Sequence, residues 1–154
     1  MSHLLIDGYN VIGTLHKDLK RVRDEFVNLL IRYKKIRGHD ITVVFDGHGG
    51  LSSKETIQKT GSIEVVYTPA GKTADQYIKE RLKKNTSMHY IVISSDRDIV
   101  RAAFSAGSVA VASDVFLQRL EDALQRLPPA DVKPRKGHTP SKKEKAIIRA
   151  LKKL

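Results

Sequence analysis

The chain contains no cysteine among its 154 residues. Disulfide staples, thiolate metal sites and cysteine nucleophiles are thereby excluded, and a reducing cytoplasm is the compartment that fits. No apolar run approaches the roughly 18 residues that a bilayer crossing needs, so no transmembrane helix and no membrane partner are expected. The opening MSHLLIDGYN lacks a basic n-region and a small-residue cleavage site, which predicts that it is not a secretory leader. Neither a G-x-G-x-x-G turn nor a P-loop occurs, and this argues against a dinucleotide-binding role. Acids, too, are almost missing from one region: between residues 133 and 154 the only one is Glu144.

What is present reads as a globular body with a charged tail. Hydrophobic residues make up 40% and charged ones 29%, a balance that can bury a core. The length suits one domain, expected over residues 1–127. Short apolar runs at 3–7, 41–45, 62–68, 90–94 and 108–112 predict five strands, and amphipathic stretches separate them. The longest helix is expected over about 20–37, with Val22, Phe26, Leu29, Leu30, Tyr33 and Ile36 on one face and Gly38 as its stop. Thr73 followed by Gln76 has the spacing of a capping box, which places Asp75 in the first turn of a helix reaching about Lys84. Further helices are expected after a cap at Ser95 or Asp96, and from a cap at Ser113 to about Leu127. This alternation predicts an α/β/α sandwich around a mainly parallel five-stranded sheet.

Aspartates recur where those strands should end: Asp7 in LLIDGYNV, Asp46 in TVVFDG, Asp75 in GKTADQYI, and Asp96 and Asp98 in VISSDRDI. Open α/β sheets build their sites in the crevice at the carboxyl ends of their strands. Each aspartate alone has a local explanation as a helix cap or turn residue. Together they would share one edge, where two like charges about 4 Å apart cost roughly 4 kcal/mol at an effective dielectric near 20. Such a cluster requires protons, basic side chains or a hard cation. Oxygen donors without Cys or paired-His spacing favour Mg²⁺ or Mn²⁺ over zinc. The six histidines, His3, His16, His39, His48, His89 and His138, show no catalytic pairing, and His48 in the GHGG loop reads as a solvated loop residue.

In order, IDGYNVIG, VVFDG, TADQYI and ISSDRDIV resemble the YacP-like subgroup of the NYN branch of PIN-like ribonucleases, over about residues 3–120. The resemblance implies a PIN-like fold and a divalent-metal-dependent endoribonuclease hydrolysing phosphodiesters in RNA decay or processing. It implies that Asp7, Asp75, Asp96 and Asp98 form the metal pocket and that Asn10 lines it. Asp46 either reaches the metal through water or closes its turn. Asp114 either joins the site or acts as a first-turn helix acid.

The tail supplies a second function-bearing feature. Lys133, Arg135, Lys136, Lys142, Lys143, Lys145, Arg149, Lys152 and Lys153 carry eight of the net +11 once Glu144 is counted, leaving about +3 for the remaining residues. Pro128-Pro129 ends the preceding helix, 130–140 reads as a linker, and Ser141 can cap an amphipathic helix with Ile147, Ile148, Leu151 and Leu154 on one side. A solvated helix face is the plain reading of such a run. The excess of base over acid tilts it toward RNA, through electrostatic and sequence-tolerant contact. The helix is short and lacks an aromatic anchor, which argues against a membrane surface. Selectivity would come from the groove, from Tyr9 or Tyr67 stacking a base, or from a larger partner such as a ribosome. A non-catalytic RNA-binding module on the same fold is the main alternative. A haloacid-dehalogenase-type phosphatase fits poorly, because the second Asp its chemistry expects is Tyr9 here.

Overall fold

The computed structural model describes residues 2–47 and 54–125. Within them the chain runs β1 (His3–Asp7), α1 (Gly8–Ile12), α2 (Leu19–Arg37), β2 (Asp40–Phe45), β3 (Thr56–Thr60), β4 (Ile63–Tyr67), α3 (Ala74–Lys84), β5 (Tyr90–Ile93), α4 (Arg97–Ser105), β6 (Val109–Val111) and α5 (Ser113–Gln125). The strands form one six-stranded sheet in the order β3-β4-β2-β1-β5-β6. All neighbours are parallel except β3 and β4. The predicted α/β class and parallel core therefore hold, with one strand more than the five expected. The additional strand is β3, whose side chains are mostly exposed and include Ile57 as the single apolar residue. Pairing with β4 through a tight turn at Gly61, which takes φ +61°, holds it in place without a buried face.

Alternation along the strands sorts side chains into two cores. Leu4, Ile6, Val43, Phe45, Val65 and Ile93 pack beneath α1, α2 and α5. Leu5, Val44, Val66, Tyr90 and Val92 pack beneath α3 and α4. The sheet is thus the middle of three layers. That parity decides where the carboxylates go. Asp7 follows Leu5 by two residues, Asp46 follows Val44 and Ser94 follows Val92, so all three leave the sheet on the α3/α4 side.

The local signals behind the helices are visible in the structure. Asp18 accepts the Arg21 N–H at the start of α2, and Gly38 ends that helix with φ +77°. Thr73 and Gln76 form the expected reciprocal capping box on α3. Asp96 caps α4. Ser113 begins α5, but its hydroxyl donates to Asn10 Oδ1. Gly8 opens the short α1 directly after β1. A Cβ on Gly8 would lie 2.3 Å from the Phe45 ring, so only glycine lets the chain turn so tightly over that side chain. No described helix is long and apolar enough to cross a membrane. The linker and tail helix expected over 128–154 lie outside the described residues, as does His48.

Candidate active site

Chain order reverses between β1 and β5: after β1 the strands proceed outward through β2 to β4, then return to the other side of β1. At such a switch point the loops leaving adjacent strands part in opposite directions and open a crevice. Asp7 ends β1 on one side of it, and Ser94, Ser95 and Asp96 follow β5 on the other.

Asp7 is 9% exposed. It stands at the N-cap of α1, yet its side chain makes no capping bond there. Instead Oδ2 accepts a hydrogen bond from Ser94 Oγ at 3.3 Å. Burial pushes its pKa up to about 7, against the lowering effect of Ser94; Asp46, Asp96 and Asp75 raise it further by like-charge repulsion. Carboxylates from three other segments thus act on Asp7 at this crevice.

Each of the others is partly committed. Asp96 Oδ1 accepts the N–H groups of Asp98 and Ile99, at 2.8 and 3.3 Å. Asp46 Oδ1 accepts the Ala74 N–H and so stitches the end of β2 to the first turn of α3. Asp75 pairs through Oδ2 with Lys79 Nζ at 3.1 Å, while its Oδ1 is buried with no partner. Lys79 also stands 4.0 Å from Asp98 Oδ2. The hydrogen bond to Asp75, with the charges of Asp98 and Asp96 behind it, holds the Lys79 ammonium above its usual pKa. Lys79 therefore partly neutralises the acids from the α3 side. Its signal was in the sequence, because Asp75 and Lys79 are four residues apart on one helix.

Asn10 positions the crevice walls. Its Oδ1 accepts Ser95 N–H at 2.8 Å and Ser113 Oγ–H at 2.6 Å, while Ser113 N–H donates to Ser95 Oγ at 3.0 Å. Asp46, Asp75 and Asp96 lie near enough to Asp7 to act on its charge. Asp98 stays at the exposed rim, reaching the group through Lys79. Asp114 lies exposed in the first turn of α5 and makes no hydrogen bond or ion pair with the described residues. Tyr9 packs on Phe45 at 5.0 Å, and Tyr67 stacks on the same ring at 6.0 Å. The nine basic tail residues fall outside the described residues.

Two features suit a divalent cation: an orphaned buried oxygen on Asp75 and a desolvated carboxylate at Asp7 facing three like charges. The donors are all hard oxygens. Yet among the described residues no group of three or more His, Asp or Glu side chains stands close enough to hold a metal ion. The chemistry of the donor set fits; the ligand cage is not assembled in advance.

The profile of the YacP-like NYN domain matches residues 4–154, which spans the whole set of strand-end aspartates and the basic tail. The chain belongs to the YacP-like NYN domain family. This family is nuclease-like and RNA-related. No curated protein matches the chain. Two crystal structures of Rae1 (YacP) from Bacillus subtilis are similar to it. One aligns at 30% identity and a TM-score of 0.64, covering 82% of this chain and 77% of that one. The other, a point mutant, aligns at 27% identity and a TM-score of 0.62, covering 82% and 79%. The six-stranded, mostly parallel α/β fold is thus similar to YacP structures and consistent with the PIN-like fold anticipated from IDGYN and SSDRD.

Proposed function

We propose that this YacP-like NYN protein is a metal-dependent endoribonuclease acting in cytoplasmic RNA decay or processing. One observation carries the reading: at the sheet switch point burial pushes the Asp7 carboxyl up to about 7, and three carboxylates remote from it in sequence, Asp46, Asp96 and Asp75, add like-charge repulsion. Such an arrangement costs stability and serves no packing purpose. Asp7, Asp75 and Asp96 would hold Mg²⁺ or Mn²⁺, with Asp98 at the rim and Asp46 behind. The bound ion would supply an activated water and neutralise charge on the leaving oxygen.

The chain's own residues do the rest. Ser94 keeps the Asp7 carboxylate aimed into the crevice, and the Asn10–Ser95–Ser113 bonds fix the facing wall. Lys79 balances the acids before RNA and cation arrive. The basic tail gives a sequence-tolerant hold on a polyanion, suited to a large RNA assembly such as a ribosome.

The lack of a preassembled three-ligand group among the described residues favours a second reading, a non-catalytic RNA-binding module on the same fold. Cleavage of a labelled single-stranded RNA in Mg²⁺ or Mn²⁺, with an EDTA control, separates the two. The nuclease reading expects metal-dependent cleavage that falls at least about a hundredfold in folded Asp7→Asn and Asp75→Asn proteins. Binding without cleavage by the wild type would establish the module instead.

A further inference from the structure

Beside the acidic crevice lies a pocket of about 460 Å³, lined among others by Lys20, Arg23, Asp24, Asp46, Lys54 and Tyr67. Asp46 belongs to both, since it acts on Asp7 and also forms part of the pocket wall. The two compartments have opposite electrostatic character. Three cations face two carboxylates in the pocket, whereas in the crevice Lys79 faces the acids Asp75 and Asp98.

Arg23 is the distinctive member. Nη1 donates to Tyr9 Oη at 3.1 Å, and the guanidinium lies over the Tyr67 ring at 5.2 Å and the Phe45 ring at 5.9 Å. Its Nε is buried with no hydrogen-bond partner. Arg23 makes no ion pair with a carboxylate among the described residues. A half-buried guanidinium normally gains a carboxylate to offset its desolvation. This one is instead held in a fixed plane on an aromatic shelf, with Lys20 nearby, at the mouth of a site facing solvent. A planar, pre-positioned guanidinium is suited to bind a phosphate oxygen and to stack with a base.

We infer that this pocket is a nucleotide subsite: it takes the phosphodiester and base of RNA adjoining the group lodged at the acidic crevice. Arg23 and Lys20 hold the phosphate, and the Arg23–Tyr67 stack forms the platform for the base. The subsite rests on the RNA-directed reading of the crevice but requires no catalysis. It accounts for how a chain can present its backbone to a cup of like-charged carboxylates: the neighbouring phosphate is gripped on the positive side, and Asp46 marks the boundary.

The test is binding in EDTA, where no cleavage occurs. A fluorescein-labelled, fully 2′-O-methylated single-stranded 12-mer is titrated into the wild-type chain and into Arg23→Ala, Lys20→Ala and Arg119→Ala proteins, with anisotropy as readout. Arg119 lines a different pocket with Tyr33 and His39 and controls for general loss of positive charge. Loss of a charge-assisted hydrogen bond predicts a Kd raised about tenfold in Arg23→Ala, with a smaller rise in Lys20→Ala and almost none in Arg119→Ala. Equal losses at Arg23 and Arg119, or no loss at Arg23, overturn the subsite. If Arg23→Ala does not fold, amide shifts in the wild-type protein on adding the same oligomer decide: movement at residues 20–24 and 67–68 supports the site, and its absence there refutes it. A wild-type protein that binds in this pattern but does not cleave in Mn²⁺ would remove the nuclease reading and leave the subsite standing.

Discussion

At Asp7 the proposed function and stability oppose each other. Its carboxyl titrates near 7 in the folded chain against about 3.8 when unfolded, so the folded state holds the proton more tightly. The sign follows directly: folding is favoured by the protonated form, this contribution is fully present below about pH 4, and it is lost as pH rises through 7. A difference of about three units corresponds to roughly 4 kcal/mol as an upper figure. Asp7→Asn removes the titration while keeping the shape. The variant is expected to melt higher than wild type at pH 8, with the gap closing toward pH 4, as measured by paired thermal melts across that range. A gap independent of pH would show that Asp7 is not desolvated in this way. Mn²⁺ at pH 8 should raise the wild-type Tm by mass action, with EDTA reversing the rise and Asp7→Asn blunting it. The legibility of such residues follows from position. Asp7, Asp75 and Asp96 could be read because each stands where a strand ends or a helix begins. Arg23 could not, because on its own helix it reads as one more solvated cation, and its role depends on Tyr67, a residue of a distant strand.

Among the elements, α3 bears most on the site, since it carries Asp75 and Lys79 inward and anchors its far end through Arg81. Arg81 Nη1 donates to Glu64 Oε1 at 2.8 Å, and the same side chain reaches the hydroxyls of Tyr77 and Tyr90. Its start is fixed by the Thr73–Gln76 capping box and by Asp46 receiving the Ala74 N–H. Thr73→Ala is expected to cost about 1 kcal/mol, a fall of roughly 2–6 °C in Tm. Because the loosened turn carries Asp75, RNA cleavage should fall by more than the unfolded fraction explains; measuring both on one preparation checks this. The capping box was legible because its signal is local, two residues at a fixed spacing. Strand β3 was not, because TIQKT buries no continuous face and owes its conformation to its hairpin partner. Helix α1 was hidden for a related reason. Gly8 reads as a breaker until the Phe45 ring, 37 residues away in sequence, shows why no Cβ is tolerated there.

Over the whole molecule, charge is segregated. The acids that matter gather at one end of the sheet, whereas nine cations and one acid occupy residues 133–154. A polyanion approaching this chain meets long-range attraction from the tail and short-range repulsion from the crevice, and the latter is overcome only where cations intervene. Those two contributions differ in their response to salt. Tail contacts release counterions from the RNA, so binding through them should weaken linearly on a log–log plot, by about 0.7 per phosphate neutralised on a single strand. Contacts in the crevice itself are short, partly desolvated and less screened. Deleting residues 133–154 is therefore expected to lower RNA affinity at low salt and to flatten the salt dependence, with the two forms converging as ionic strength rises. Cleavage of a short oligonucleotide at saturating concentration should be nearly unchanged, because the deletion leaves Asp7, Asp75 and Asp96 in place. Anisotropy titrations of both chains across a salt series measure the slope. An unaltered slope would assign the tail to solvent and leave RNA capture to the face that bears Lys20 and Arg23.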